Sequence, residues 1–208
     1  FVAARVDNDE IAIASADDVE TWLDLRFGEF GERFSQQVGD AHVTVTVERF
    51  ASYDELHVLA QRWVLTTDQA ITVEVSTGVD GEIWSLNGVH LPTLDFTEDG
   101  GVVGATGVTG ESGVEVAVAS SSTMAGGTRG GIEHVREPRR LFTRRRIEMD
   151  PGSELVVETA AAVASSNDGD TPALTVRALA AAGSAAGYRM LQAASRARWE
   201  TIWSNMDV

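Results

Sequence analysis

Residues 41–52 read Ala-His-Val-Thr-Val-Thr-Val-Glu-Arg-Phe-Ala-Ser, with Val43, Val45 and Val47 on one face and Thr44, Thr46 and Glu48 on the other. A period of two belongs to a strand with one buried face, because successive Cβ atoms point to opposite sides of the pleat. Such a strand has to cover its apolar face with a second layer, which restricts the chain to a layered β architecture. The signal recurs along most of the chain. Residues 22–28 alternate, and 57–66 and 70–77 continue the pattern. Short strands are predicted at 92–98, 102–108 and 113–120, and two more at about 141–149 and 153–164. Asp80-Gly81 between Val79 and Ile83 predicts a hairpin turn, since Gly accepts positive φ there. Gly100-Gly101 and Gly110 punctuate the middle of the chain, and Gly126 to Gly131 reads as a mobile loop.

The period changes after residue 166. Thr171-Pro172 reads as an N-cap with proline in the first turn, opening a helix to about Ala182 with Gly183 as its C-cap. Ser184 then caps a second helix that runs to about Asn205. Trp199, Ile202, Trp203 and Met206 recur at steps of three and four, so they share one face of it. An apolar stripe of this kind has to bury against something. The expected partner is in part a domain beyond this chain, which makes these four residues candidates for a domain or dimer interface. Roughly ten strands followed by two helices place the chain in the all-β class. The predicted layout is an antiparallel sandwich over 1–166 and a helical linker over 167–208.

Composition narrows the chemistry. With no cysteine there can be no disulfide, thiolate metal ligand or thiol nucleophile. The formal net charge is -16, and all basic residues are arginine. Salt adaptation and a GC-rich genome both produce that pattern; the abundance of Ala and Val favours the second. The acidic balance argues against general nucleic-acid binding. No run approaches about 18 consecutive apolar residues, so no membrane span is expected.

Several constellations have both a functional and a bland reading. Arg136, Arg139, Arg140, Arg144, Arg145 and Arg146 could form a phosphate site, because the guanidinium fork suits phosphate. The favoured alternative is a strand whose charges pair with an acidic surface, Arg144 and Arg146 on one face and Arg145 opposite. Asn167-Asp168-Gly169-Asp170 opens like a calcium loop, but Val176 and Leu179 fall where ligands would be needed, so it reads as a solvated turn. His42, His57, His90 and His134 lack metal-site spacing, and His57 reads as a hydrogen-bonded structural residue. No nucleophile elbow, P-loop or dinucleotide fingerprint is present. Among the tryptophans, Trp22 and Trp63 read as core and Trp199 and Trp203 as packing. Trp84, beside a turn, and the nearby His90 are the candidate sugar contacts.

The ordered motifs Leu23-Asp24-Leu25-Arg26 with Gly28, Arg49-Phe50-Ala51-Ser52 with His57, and Val79-Asp80-Gly81-Glu82-Ile83 carry a resemblance. They continue through Thr109-Gly110, Ser112-Gly113 and a closing helix with Ala197, Trp199, Trp203 and Asp207-Val208. From about residue 22 onward the chain resembles the N-terminal β-sandwich domain of glycoside hydrolase family 65, the maltose, kojibiose and trehalose phosphorylases. The resemblance implies a supersandwich like that of galactose mutarotase, preceding a linker helix and an (α/α)6 barrel. It places the general acid and the phosphate site in the barrel, so no catalytic residue is expected in these 208 residues. The expected partners are that barrel, a second copy in a homodimer, and the sugar substrate of the whole enzyme, with no nucleic acid and no membrane. No cofactor is expected, with inorganic phosphate as co-substrate of the whole enzyme and the cytoplasm as its location. The chain is expected to be an internal piece of that enzyme, shortened at its front. Two other readings are a stand-alone carbohydrate-binding sandwich and a mutarotase-like epimerase; the scattered histidines give the epimerase little support.

Overall fold

The computed structural model describes residues 1–7, 9–82 and 88–206. The strands are β1 (Val2–Val6), β2 (Asp9–Ile11), β3 (Asp18–Asp24), β4 (Glu29–Val38), β5 (Ala41–Ala51), β6 (Val58–Thr67) and β7 (Ile71–Asp80). They continue as β8 (Asp95–Asp99), β9 (Val102–Val108), β10 (Glu115–Ala125), β11 (Thr128–Glu137), β12 (Arg140–Met149) and β13 (Glu154–Ser165). Two helices follow, α1 (Pro172–Ala186) and α2 (Tyr188–Met206). The strands form an eight-stranded sheet in the order β3-β4-β5-β6-β13-β10-β9-β8 and a five-stranded sheet in the order β11-β12-β7-β1-β2. Every recorded strand pairing is antiparallel.

The alternation in β5 does what its period requires. Val43, Val45 and Val47 are fully buried between the sheets, against Val73, Val75, Ile147 and Met149 of the smaller sheet and Leu65, Leu155 and Val157 of their own. Each such side chain contributes about 1.5–3 kcal/mol relative to an exposed one. The opposite face of the larger sheet is covered by α1, whose Val176 and Ala180 pack on Ala117, Ala119, Ala162 and Ala164. The alanines matter there: a helix can lie close to a sheet only where side chains are short.

Several predicted boundaries move. The strand predicted at 22–28 ends at Asp24, and the next four residues turn, with Asp24 Oδ1 accepting from the backbone N–H of Arg26 (2.9 Å) and Phe27 (3.3 Å). The hairpin predicted at Asp80-Gly81 extends to Ile83, which lies outside the described residues; β7 itself pairs with β1 over 73–77 and with β12 over 71–80. Residues 126–131 are not a loop as a whole. Gly126 (φ 93°) and Gly127 (φ 62°) turn a corner, and β11 starts at Thr128. Gly183 does not cap α1, nor does Ser184 open α2. The helix runs through Gly183, where a Cβ would stand 2.9 Å from Ala160 Cβ, and stops at Gly187 (φ 82°). Gly183 is therefore a residue of close approach, and Gly187 is the one in the left-handed region that ends a helix. Trp22 is not core: it lies on edge strand β3, is 39% exposed and rests over Gly31. Trp63 does pack against the main core, half-buried.

Candidate interface site at the C-terminal helix

The helix α2 leaves α1 at Gly187 and lies along the outer side of the larger sheet, toward the β3–β4 turn. Its first residue is anchored twice. The backbone N–H of Tyr188 donates to Glu158 Oε2 (3.1 Å), and its buried ring meets Phe50 edge-on at 5.4 Å. One turn later Gln192, also buried, donates to Glu29 Oε2 (2.9 Å). Arg196 grips the same carboxylate with both arms, Nε to Oε1 at 2.5 Å and Nη2 to Oε2 at 2.6 Å. That fork geometry is the strong form of an arginine–carboxylate pair, and here it keeps the guanidinium pKa raised. Between them Ser195 Oγ accepts from the backbone N–H of Tyr53 (3.1 Å).

The aromatic stripe continues the same face. Trp199 stacks on Tyr53 with ring centroids 4.7 Å apart and covers Gly28, where a Cβ would sit 3.5 Å from the indole. Trp203 donates its Nε1–H to the carbonyl of Arg26 at 2.6 Å. Ile202 is half-buried and Met206 is 63% exposed. The four candidate interface residues are thus divided. Trp199 and Trp203 fold back onto this chain's own sandwich, while Met206, at the far end of the helix, leaves most of its side chain in solvent. Leu23 is 58% exposed near the end of β3, and Leu25 is 76% exposed in the turn that receives Trp203.

Two of the motifs quoted for the family resemblance, residues 23–28 and 49–57, meet the closing helix at this seat. Asp24 shapes the turn, Arg26 offers its carbonyl to Trp203, and Gly28 gives room for Trp199. Ser52 Oγ accepts from the N–H groups of Asp54 and Glu55, holding the loop that carries Tyr53. His57 pins that region from behind, with Nδ1 2.8 Å from the carbonyl of Val163. Sequence reasoning missed Glu29, Tyr53, Tyr188, Gln192 and Ser195. The available signal was the continuation of the stripe toward Tyr188 at steps of three and four, but its polar members do not register as hydropathy.

Burial pushes the Tyr188 phenol well above its ordinary pKa, and its hydroxyl is buried with no hydrogen-bond partner among the described residues. A buried hydroxyl without a partner is costly, whereas the ring around it packs well. Tyr188→Phe is therefore expected to leave stability unchanged or raise it by about 1 kcal/mol, read as a shift of the urea midpoint. A clear loss would mean that the hydroxyl has a partner in solution.

The other candidates lie elsewhere. His90 sits in a loop, its side chain 44% exposed and its Nδ1 3.7 Å from Glu111, and its carbonyl accepts from Gly110. Trp84 lies outside the described residues. The arginine cluster is largely paired: Arg140 with Asp80 and Glu137, Arg144 with Glu74 and Glu133, and Arg146 with Glu74. Arg136 and Arg139 donate to backbone carbonyls. Asp168 closes a turn, accepting from the N–H and hydroxyl of Ser165, which hold its carboxyl below the usual range. Among the described residues no group of three or more His, Asp or Glu could hold a metal, and no helix is long and apolar enough to cross a membrane.

Comparison with known proteins agrees with this architecture. Residues 3–202 match the family model described as glycosyl hydrolase family 65, N-terminal domain. A 1,2-alpha-glucosylglycerol phosphorylase of Bacillus selenitireducens is 31% identical over 194 residues, covering 91% of this chain and 24% of that protein. A nigerose phosphorylase of Lachnoclostridium phytofermentans is 30% identical over 77 residues, 37% of this chain and 10% of that protein. Among solved structures, a human-microbiome protein provisionally assigned as a kojibiose phosphorylase superposes with a TM-score of 0.80 at 12% identity, over 96% of this chain and 27% of that one. The chain thus spans about a quarter of the length of the first of these relatives. With its two antiparallel sheets, its closing helices and a family match over nearly its whole length, the chain belongs to glycosyl hydrolase family 65, to the N-terminal domain of that family.

Proposed function

We propose that this chain is the non-catalytic N-terminal domain of a family 65 enzyme that cleaves α-linked glucosides, and that it serves as a platform for the catalytic domain. The observation that carries the reading is the family match over residues 3–202 in a chain spanning only a quarter of a phosphorylase relative. The relatives' names supply the substrate class, a glucosyl unit in α linkage to glycerol or to a second sugar. In such an enzyme a general acid protonates the glycosidic oxygen, and phosphate or an activated water attacks the anomeric carbon from the opposite face. Those groups are assigned to the catalytic domain, and the reaction to the cytoplasm.

What this chain supplies is position. The clamp of Arg196 and Gln192 on Glu29 and the Trp199–Tyr53 stack fix the direction in which α2 leaves the sandwich. Leu25, exposed in the β3–β4 turn, and Met206, exposed at the end of that helix, are the proposed contacts with the catalytic domain; the remaining sandwich surface is available for dimer contacts.

The whole enzyme, incubated with a panel of α-glucosides and inorganic phosphate, should release glucose 1-phosphate or glucose, and residues 1–208 alone should release neither. Leu25→Ser with Met206→Ser should leave the stability of residues 1–208 within about 0.5 kcal/mol, because both side chains are exposed. The same pair should lower the melting temperature and activity of the whole enzyme. If the whole enzyme is indifferent to the pair, the contact lies elsewhere; turnover by residues 1–208 alone would sink the non-catalytic reading.

A further inference from the structure

The paired arginines have a second consequence. On the outer face of the smaller sheet the register sets Glu10 opposite Arg5, Arg5 opposite Glu74, and Glu74 opposite Arg146, so charge alternates in a row across four strands. Beside that row the sheet surface dips into a depression of about 300 Å³. Its walls hold three guanidinium groups, Arg5, Arg140 and Arg144. Facing them are four carboxylates, Glu10, Glu74, Asp80 and Glu137. The depression also holds the hydroxyl of Ser76, the apolar surface of Ala3 and Phe142, and Phe1, whose amine donates to the carbonyl of Gly78 (2.6 Å).

The arrangement selects against simple ions. Four carboxylates face three guanidinium groups and the Phe1 amine, so the charges nearly balance and neither a phosphate nor a cation gains a net attraction. The groups are also held in place. Arg140 Nε lies 2.9 Å from Asp80 Oδ1, and Arg144 Nε 3.1 Å from Glu74 Oε1, with Arg144 additionally placed over the Phe142 ring at 5.5 Å. An ion-paired carboxylate still has lone pairs to offer, and a guanidinium carries five N–H donors. A hydroxyl group donates and accepts at once, so it can bridge such a pair without disturbing its charge balance. Side chains already fixed by their partners lose little further freedom on binding. The volume lies at the small end of the range for ligand pockets.

We propose that this depression binds a neutral polyhydroxylated ligand, a sugar or sugar alcohol, whose hydroxyls bridge the guanidinium donors of Arg140 and Arg144 and the carboxylates of Asp80 and Glu74. The site belongs to the sandwich alone and is independent of the catalytic domain proposed above. Its failure therefore leaves that reading intact, and the reverse holds too.

The test is ligand-observed NMR on the 208-residue protein with glycerol, glucose and maltose, run beside inorganic phosphate and spermidine. At least one neutral ligand should saturate at about 1–10 mM, as befits a shallow polar site, and phosphate and spermidine should not compete with it. Ser76→Tyr fills the depression and Arg140→Gln removes one fork of donors. Each should weaken binding about tenfold or more. Arg33→Gln alters a cleft on the larger sheet that shares no residue with the depression and should leave binding unchanged. Circular dichroism melts check that each variant is folded, and Arg140→Gln carries the test if Ser76→Tyr is not. No saturable neutral ligand, competition by phosphate or spermidine, or sensitivity to Arg33→Gln in place of the other two would each overturn the proposal.

Discussion

Gly126→Ala is expected to destabilise the protein by about 3 kcal/mol, the sum of roughly 1–2 for a left-handed alanine and 1–3 for overpacking. The position is a corner between sheets. β10 pairs in the eight-stranded sheet and β11 in the five-stranded one, so the chain has to change layers within two residues. Gly126 and Gly127 do this with φ of 93° and 62°. A Cβ on Gly126 would overlap the carbonyl oxygen of Glu154, which is backbone of β13 and held in register with Thr66 of β6. No flexible side chain is available to yield. Gly152 is the control: its φ is 73°, but a Cβ there meets open space, so Gly152→Ala should cost only the conformational strain of about 1 kcal/mol. Urea unfolding of both variants gives the comparison. Equal losses would show that the corner relaxes and that the overlap carries no energy of its own.

The second large effect is expected at Glu29. Its carboxylate is 13% exposed and accepts three hydrogen bonds from α2, two from Arg196 and one from Gln192. Glu29→Ala leaves the Arg196 guanidinium free to rehydrate, since that side chain is 43% exposed. Gln192 cannot follow it into water, because it is only 6% exposed. The expected loss is about 2–3 kcal/mol, from a stranded buried amide and a broken partly buried ion pair. Hydrogen exchange offers a sharper readout than the melting curve. Amides of 188–206 should lose protection before those of β5 and β13, because the clamp fastens the helix and not the core. Uniform loss across both sheets would mean that α2 and the sandwich unfold as one unit.

How much of this was legible beforehand varies from element to element. The middle of β5 could be read residue by residue, because from Val43 to Glu48 its inner face is valine and its outer face polar. β4 was unreadable on the same criterion. Ser35 and Gln36 are buried in it next to Phe34, so hydropathy does not alternate where burial does. β11 was obscured for a different reason. It is the edge strand of the smaller sheet, nearly all of it exposed, so there was no buried face for a pattern to mark. The break between the helices was misplaced by four residues because two glycines stand close together. Only packing distinguishes the one that lets α1 approach Ala160 from the one that ends the helix.

The candidate interface shows the same division. The stripe of Trp199, Ile202, Trp203 and Met206 was visible from spacing, and spacing correctly put it on one face. What covers that face was not visible. Tyr53 and Arg26 come from loops more than a hundred residues earlier, and no local pattern announces such a contact.

The sequence by itself determined the class, a layered antiparallel β protein closing on two helices, and the family resemblance. Strand and helix periods are local properties, and the family motifs are short stretches in a fixed order. Only the tertiary structure decided which strands share a sheet, where α2 is clamped, and that the arginine cluster meets Glu74, Asp80 and Glu133. These outcomes depend on residues far apart in the chain arriving at the same place, and the pairing that brings them there is fixed by how the two apolar faces fill the space between them.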